Sequence, residues 1–244
     1  MPSPVTICIT SYNYKEYLPE CLDSVINQQY EPMEILIYDD CSTDYSLDII
    51  HEYMKNDSRI ILEVGDKNEG PNAGVNWALR NAAGKFFAIL CSDDRLVSNY
   101  WETLLPYFED PEIGFVRIAC MLFGESIVGE SLFRPLNLNN RLDILEGNRV
   151  FVSSPFRMAM QKEIGLFDVN TTFSDWDFWI RCILSKWKWV TYYEPMFFRR
   201  IHKDSITYKL GIFGNYNIVE HKYMENKWKK TLDLFNVKQT TMRI

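Results

Sequence analysis

Phe86-Phe87-Ala88-Ile89-Leu90-Cys91-Ser92-Asp93-Asp94 decides the reading of this chain, because a compact apolar run passes without a break into a hydroxyl and two carboxylates. A run this short and this continuously apolar suits a strand covered on both faces. The same plan recurs upstream. Val5 to Thr10 stops at Ser11-Tyr12-Asn13, Glu34 to Tyr38 stops at Asp39 to Asp44, and Ile60 to Val64 stops at the loop Gly65 to Gly70. Helical spacings lie between these runs. Leu18, Cys21, Leu22, Val25 and Ile26 precede Pro32; Leu47, Ile49, Ile50 and Tyr53 follow the cap-forming residues Ser42 to Asp44; and a helix from about Asn72 to Ala83 is closed by Gly84. Strands and helices alternating at this spacing predict βαβ units, hence an α/β fold with a Rossmann-like, mostly parallel central sheet flanked by helices. In such a sheet the ligand crevice lies beyond the carboxyl ends of the strands, so the four polar clusters are expected to converge on one rim.

The second half is less regular. Asn99 to Phe108 reads as helix and Phe115 to Phe123 as strand, whereas Gly124 to Asn148 has no clean period and is expected to be a loop or a partner-facing insertion. Gly165 to Asp168 reads as a turn before a helix around Asp175 to Ser185. Trp189 to Tyr193 and Phe197 to Ile201 read as strands broken at Glu194-Pro195, and Tyr216 to Phe235 reads as an amphipathic helix.

Composition bounds the function. The chain has 244 residues, 47% of them hydrophobic, with 26 Lys+Arg against 33 Asp+Glu and a net charge of −7. That is a globular composition, and its acidity argues against a nucleic-acid coat, which needs clustered cations. Met1-Pro2-Ser3-Pro4 leads straight into a strand, and no apolar run approaches the roughly 20 residues of a membrane span, so a cytoplasmic protein is expected. The six cysteines are scattered, without zinc spacing, and are expected to be buried thiols.

The acidic turns are where chemistry is expected. Two adjacent carboxylates after an apolar strand either lie in a solvated turn or are compensated by a divalent cation bridging to a diphosphate. Asp39, Asp40 and Asp44 form a second acidic turn on the same rim, suited to a base imide or ribose hydroxyls as well as to turn formation.

Val5 to Asn13, Ile35 to Asp44, Asn68 to Gly84, Leu90 to Asp94, Gly165 to Arg181 and Arg199 to Ser205 together resemble, in the right order, the family 2 glycosyltransferases of GT-A fold. The resemblance spans roughly residues 5 to 205. It implies an inverting transfer from a nucleoside-diphosphate sugar, usually a UDP-sugar, to a hydroxyl of a glycan or lipid-linked glycan. Residues 1–100 would form the nucleotide-sugar half, 101–205 the acceptor-binding and catalytic half, and 206–244 a small C-terminal helical extension.

Carried over by position, the resemblance places Thr10, Tyr12 and Asn13 against base and ribose and gives Asp39 a hydrogen bond to the base. Asn68 and Gly70 belong to the loop over the nucleotide, and Asn76 and Arg80 to the helix behind it. Asp93 and Asp94 match the acidic element in which Asp93 touches ribose and Asp94 holds Mn²⁺ or Mg²⁺, with Cys91 where many members have an acid. His202 would reach the metal or diphosphate. Asp175 matches the catalytic base, with Asp177 as the alternative and Ser174 in place of the usual Glu. Asp177 and Arg181 also form an i, i+4 pair, a plain helix-surface reading.

Two other classes compete. A sugar nucleotidyltransferase would need a glycine-rich phosphate loop after the first strand, and Ser11-Tyr12-Asn13-Tyr14 has no glycine. A silent GT-A binding subunit is disfavoured by the retained Asp39, Asp94, Asp175 and His202. Lys222, Lys227, Lys229 and Lys230 beside Trp228 and Phe235 suit either peripheral contact with an anionic membrane or a packed helix with a solvated basic face.

Overall fold

The computed structural model describes residues 4–32, 34–124, 127–132, 141–171, 173–206 and 226–228. In chain order its elements are β1 (Val5–Ser11), α1 (Leu18–Ile26), β2 (Glu34–Asp39), α2 (Ser46–Asn56), β3 (Ile60–Val64), α3 (Pro71–Asn81), β4 (Phe86–Cys91) and β5 (Arg95–Leu96). They continue with α4 (Tyr100–Leu104), a 3-10 turn (Leu105–Glu109), β6 (Ile113–Gly124), β7 (Ile127–Leu132), a second 3-10 turn (Arg141–Glu146), β8 (Phe156–Arg157), α5 (Met158–Ile164), α6 (Ser174–Leu184) and β9 (Lys188–Ile201). Among the described residues one mixed sheet runs β3-β2-β1-β4-β8-β6-β9-β5, with β7 beside β6. The first four strands in that order are parallel, as the alternating pattern predicts. The second half is mixed. β8 stands antiparallel between β4 and β6, β6 and β9 are parallel, and β5 and β7 pair antiparallel with β9 and β6.

The strands read as continuously apolar because successive side chains enter two different cores. Val5, Ile7 and Ile9 of β1 pack with Ile35 and Ile37 of β2, Leu18 and Leu22 of α1 and Ile50 of α2. Cys8, Leu36, Phe87 and Ile89 instead join Val75, Ala78 and Leu79 of α3 and Trp176, Trp179 and Ile183 of α6. Burying one such aliphatic or aromatic side chain contributes roughly 1.5–3 kcal/mol. The thiols of Cys8, Cys21, Cys120 and Cys182 are buried in these layers, while Cys41 and Cys91 are half-buried.

Several sequence expectations are corrected by packing. Gly84 is not a helix cap, since α3 ends at Asn81 with Ala82 after it. The glycine sits where the chain crosses β1, and a Cβ there would lie 2.5 Å from Thr6 Oγ1 and 2.8 Å from Thr6 N. Glu34 locks this crossing by accepting the Thr6 hydroxyl at 2.5 Å and the Ala83 N–H at 2.6 Å. Asn99 to Phe108 is helical only to Leu104 before tightening into the 3-10 turn at Pro106, which lacks the N–H an α-helix would use. Gly124 to Asn148 contains β7 and the second 3-10 turn, and Gly129, Glu130 and Ser131 interrupt any apolar alternation in β7. Glu194-Pro195 does not break the last strand. β9 is continuous, and the proline falls where four of its residues face two of β6, an irregularity that can absorb a missing donor.

Of the expected C-terminal helix only residues 226–228 are described, and they are helical. Lys227 pairs with Asp168 at 2.6 Å and Asp177 at 2.7 Å, and Trp228 packs on the second core. The Lys227 ammonium and the Asn170 N–H hold the Asp168 carboxyl down to about 2. Lys227 and Trp228 therefore face the protein, as in the packed-helix alternative; Lys222, Lys229, Lys230 and Phe235 lie outside the described residues. Among the described residues no helix is long and apolar enough to cross a membrane.

Asn76 is also structural in this fold. It is 4% exposed, donates from Nδ2 to Phe167 O and accepts the Phe167 N–H at Oδ1, both at 2.9 Å, so its amide is consumed in tying α3 to the turn before α6. Asn76, expected at the nucleotide, is not among the residues that line the crevice at the strand ends. Asn76→Ala should cost about 1–3 kcal/mol of stability, the range for stranding buried polar partners, while leaving nucleotide affinity unchanged. Urea denaturation beside a UDP titration checks it; intact stability with lost affinity would return Asn76 to the site.

Candidate active site

The carboxyl ends of β1, β2 and β4 open on a cavity of about 670 Å³, within the size range of small-molecule sites. Thr10, Tyr12 and Asn13 line it from the end of β1, Tyr38 and Asp40 from β2, Asn68 and Gly70 from the loop before α3, and Asp93 and Asp94 from the end of β4. Arg199 and Arg200 close it from the end of β9. The convergence expected of the four polar clusters is thus present.

Short polar bonds set the shape of the rim. Asn13, with φ at 55°, accepts the Thr43 N–H at 2.7 Å, and its own N–H donates to Ser42 Oγ at 2.9 Å, so the turns after β1 and β2 are locked together. Asp39 accepts both the N–H and the hydroxyl of Ser42 at 2.7 Å, is fully buried, and is not part of the cavity wall. Its carboxylate supports the turn where a contact with a base was expected. The neighbouring Asp40 faces the cavity instead, accepting the N–H groups of Glu69 at 2.9 Å and Gly70 at 2.7 Å. Gly70 has φ at +85°, a conformation that favours glycine, and Asp40 so holds the Asn68–Gly70 loop at the cavity mouth.

The acidic corner lies at the end of β4. Cys91, Asp93 and Asp94 each offer a ligand atom, all within 4.8 Å of one another, and the two carboxylates are 9% and 6% exposed. Burial, reinforced by the charge of Asp93, pushes the Asp94 carboxyl well above the usual range. Asp94 Oδ1 accepts the Arg200 N–H at 2.8 Å, and the Arg200 guanidinium donates to Asp93 O, pairs with Glu20 and stacks over Tyr17. His202 is 3% exposed, packed against Tyr14 and Tyr17, with Nε2 3.0 Å from Asp93 Oδ2. It reaches the acidic corner as expected, but on Asp93, not on Asp94. A divalent cation fits this donor set, because two buried like charges and clustered ligand atoms call for a positive charge between them.

Asp175 stands at the N-terminus of α6, outside the cavity wall. Ser174 Oγ donates to Asn72 Oδ1 at 2.5 Å and Asn72 Nδ2 donates to Thr171 O at 3.3 Å, which joins the start of α6 to the start of α3, directly after the cavity residues Gly70 and Pro71. Asp175 is half-buried and accepts the Asn148 amide at 2.7 Å and the Trp176 N–H at 2.8 Å. Asp177 is 1% exposed and ion-paired with Arg181 and Lys227. Arg181 also donates to the carbonyls of Ile164 and Leu166, so the Asp177–Arg181 pair is a joint between α5 and α6. Arg80 is exposed on α3.

Tyr14, Tyr17 and Arg200 are site residues that sequence reasoning passed over. Of these Arg200 left a signal, as the second member of Arg199-Arg200.

The profile described as Glycosyl transferase family 2 matches residues 6–164. The putative teichuronic acid biosynthesis glycosyltransferase TuaG of Bacillus subtilis (strain 168) is 34% identical over 111 residues, which cover 46% of this chain and 44% of TuaG. An uncharacterized glycosyltransferase of Haemophilus influenzae is 25% identical over 238 residues, covering 96% of this chain and 86% of that protein. S. aureus TarS 1-349 in complex with UDP-GlcNAc shares the fold with a TM-score of 0.70 at 20% identity, over 87% of this chain and 61% of that one. The chain thus spans less than half the length of TuaG and about three fifths of the TarS fragment. With the profile covering well over half of the sequence on a matching GT-A fold, the chain belongs to glycosyl transferase family 2.

Proposed function

We propose that this chain moves a sugar from a UDP-sugar to a hydroxyl of a glycan or lipid-linked glycan, inverting the anomeric carbon, in the synthesis of a cell-wall or capsule polysaccharide. The observation that carries the proposal is the buried Asp93-Asp94 corner on one wall of the cavity, with Asp175 linked to the rim through Ser174 and Asn72. The UDP-GlcNAc complex of TarS and the naming of TuaG for teichuronic acid biosynthesis support the donor and polymer classes.

Thr10, Tyr12 and Asn13 would bracket base and ribose, with Asn68 and Gly70 covering them under the hold of Asp40, and Asp93 reaching the ribose. Asp94, with His202 beside it on Asp93, would hold Mn²⁺ or Mg²⁺, which supplies positive charge to the departing diphosphate. Arg200, anchored to Glu20, keeps the backbone N–H that orients Asp94 in place. Asp175 takes the proton from the acceptor hydroxyl as its oxygen attacks the anomeric carbon. Asn148 and Trp176 each donate to one oxygen of Asp175, which supports a fixed orientation of the carboxylate. One displacement needs one base, unlike the paired carboxylates of retaining hydrolases. The burial of Asp177 between two cations supports Asp175 over it in this role.

Asp175→Asn should lower turnover by about 10²–10⁴, the usual contribution of a general base, with UDP affinity preserved. UDP release from a panel of UDP-sugars with Mn²⁺ measures it, and turnover near that of the unaltered chain would remove Asp175 from the mechanism. Asp94→Ala should instead abolish the dependence of UDP binding on Mn²⁺, read by calorimetry with and without a chelator; an unchanged dependence would place the metal elsewhere.

A further inference from the structure

We infer that Asn148 is the positioning residue for the proposed base, its amide holding the Asp175 carboxylate in the orientation from which it takes the acceptor proton. The inference rests on the reading of Asp175 given above. Asn148 Nδ2 donates to Asp175 Oδ2 at 2.7 Å, while its Oδ1 accepts the Val150 N–H at 3.1 Å. The second bond determines the first: a backbone donor must face the carbonyl end of the amide, so the NH₂ end is presented to Asp175. Val150 is fully buried in the second core, which makes the anchor rigid.

The segment carrying Asn148 is bolted to α6 immediately beside the base. Trp176 Nε1 donates to Ile144 O at 2.6 Å, and Ile144 is fully buried. Gly147 N–H returns to the same carbonyl, so the turn that ends at Asn148 is closed on the residue that Trp176 grips. The residue before Asp175 is thus tied to α3 through Ser174 and Asn72, and the Asp175 carboxylate is held by Asn148.

The test uses the full chain with Mn²⁺, a UDP-glucose and UDP-GlcNAc panel, and UDP release with water as acceptor. Asn148→Ala should lower kcat by about 10–100-fold, the scale of an ångström misplacement of a reacting group, with KM for the donor and UDP affinity unchanged. Asn148→Asp, equal in size but presenting a like charge to Asp175, should fall at least as far. In the Asp175→Asn background, Asn148→Ala should add nothing to the loss, because there is no base left to orient. Unchanged kcat in both single variants beside a dead Asp175→Asn overturns the inference. So does an additive loss in the double variant, and so does unfolding of both single variants by circular dichroism, which would make Asn148 a structural residue. Normal turnover in Asp175→Asn overturns the base assignment instead, and the two failures are thereby distinguished.

Discussion

Two carboxylates buried side by side at the end of β4 are the constraint around which the rest of this molecule is arranged. Asp93 and Asp94 cannot leave the sheet, because the apolar run Phe86 to Cys91 that precedes them lies between two cores. Their repulsion has to be offset locally. The end of β9 supplies a backbone N–H and a guanidinium at Arg200 and an imidazole at His202, while α1 supplies Glu20 to hold that guanidinium in place. With these contacts in place, burial and the charge of Asp93 still push the Asp94 carboxyl well above its usual range. The pairing of β5 with β9, which sets Arg95 opposite Phe198, carries Arg200 and His202 back to the first half of the chain.

Amide side chains join the separate loops into one rim. Asn13 fastens the turn after β1 to the turn after β2, Asn72 fastens α3 to α6, Asn76 fastens α3 to the turn at Phe167, and Asn148 fastens the segment before β8 to Asp175. Asparagine suits this work. It carries donor and acceptor on a short stem, so it can satisfy two backbone or side-chain partners at once without importing charge into a site already strongly acidic. Asp39, Asp40 and Asp44 are used in a similar way on the rim, accepting from N–H and hydroxyl groups of their own or an adjacent loop.

The first hundred residues were largely legible because the strands there are parallel, covered on both faces and punctuated by polar turns, so local pattern and tertiary role coincide. Val5, Glu34 and Phe86 begin strands at the expected places. Legibility fails where pairing partners are remote. β7 has no apolar period of its own and exists by adding to β6, and Pro195 looks like a break until the irregular register against β6 is seen. The site divides along the same line. Thr10, Tyr12, Asn13, Asn68, Gly70, Asp93 and Asp94 come to the cavity as expected, since each follows a strand or opens a helix on the rim. Asp39 and Asn76 share that neighbourhood but turn inward, and nothing local tells an amide facing a nucleotide from one facing the carbonyl of Phe167, 91 residues away.

The choice between Asp175 and Asp177 shows what a three-dimensional partner adds to a spacing argument. Both lie in the first turn of α6, and helix-dipole reasoning favours an acid at either. They are two residues apart, about 200° around a helix axis, so they face different surroundings. One direction leads to Arg181, Lys227 and the carbonyls that end α5, where a carboxylate is useful as a fixed charge and is lost to the interior. The other leads to the half-buried position beside Asn148, whose amide donates to the carboxylate. Two acids of one helical turn thus enter different surroundings because the helix places them on opposite faces.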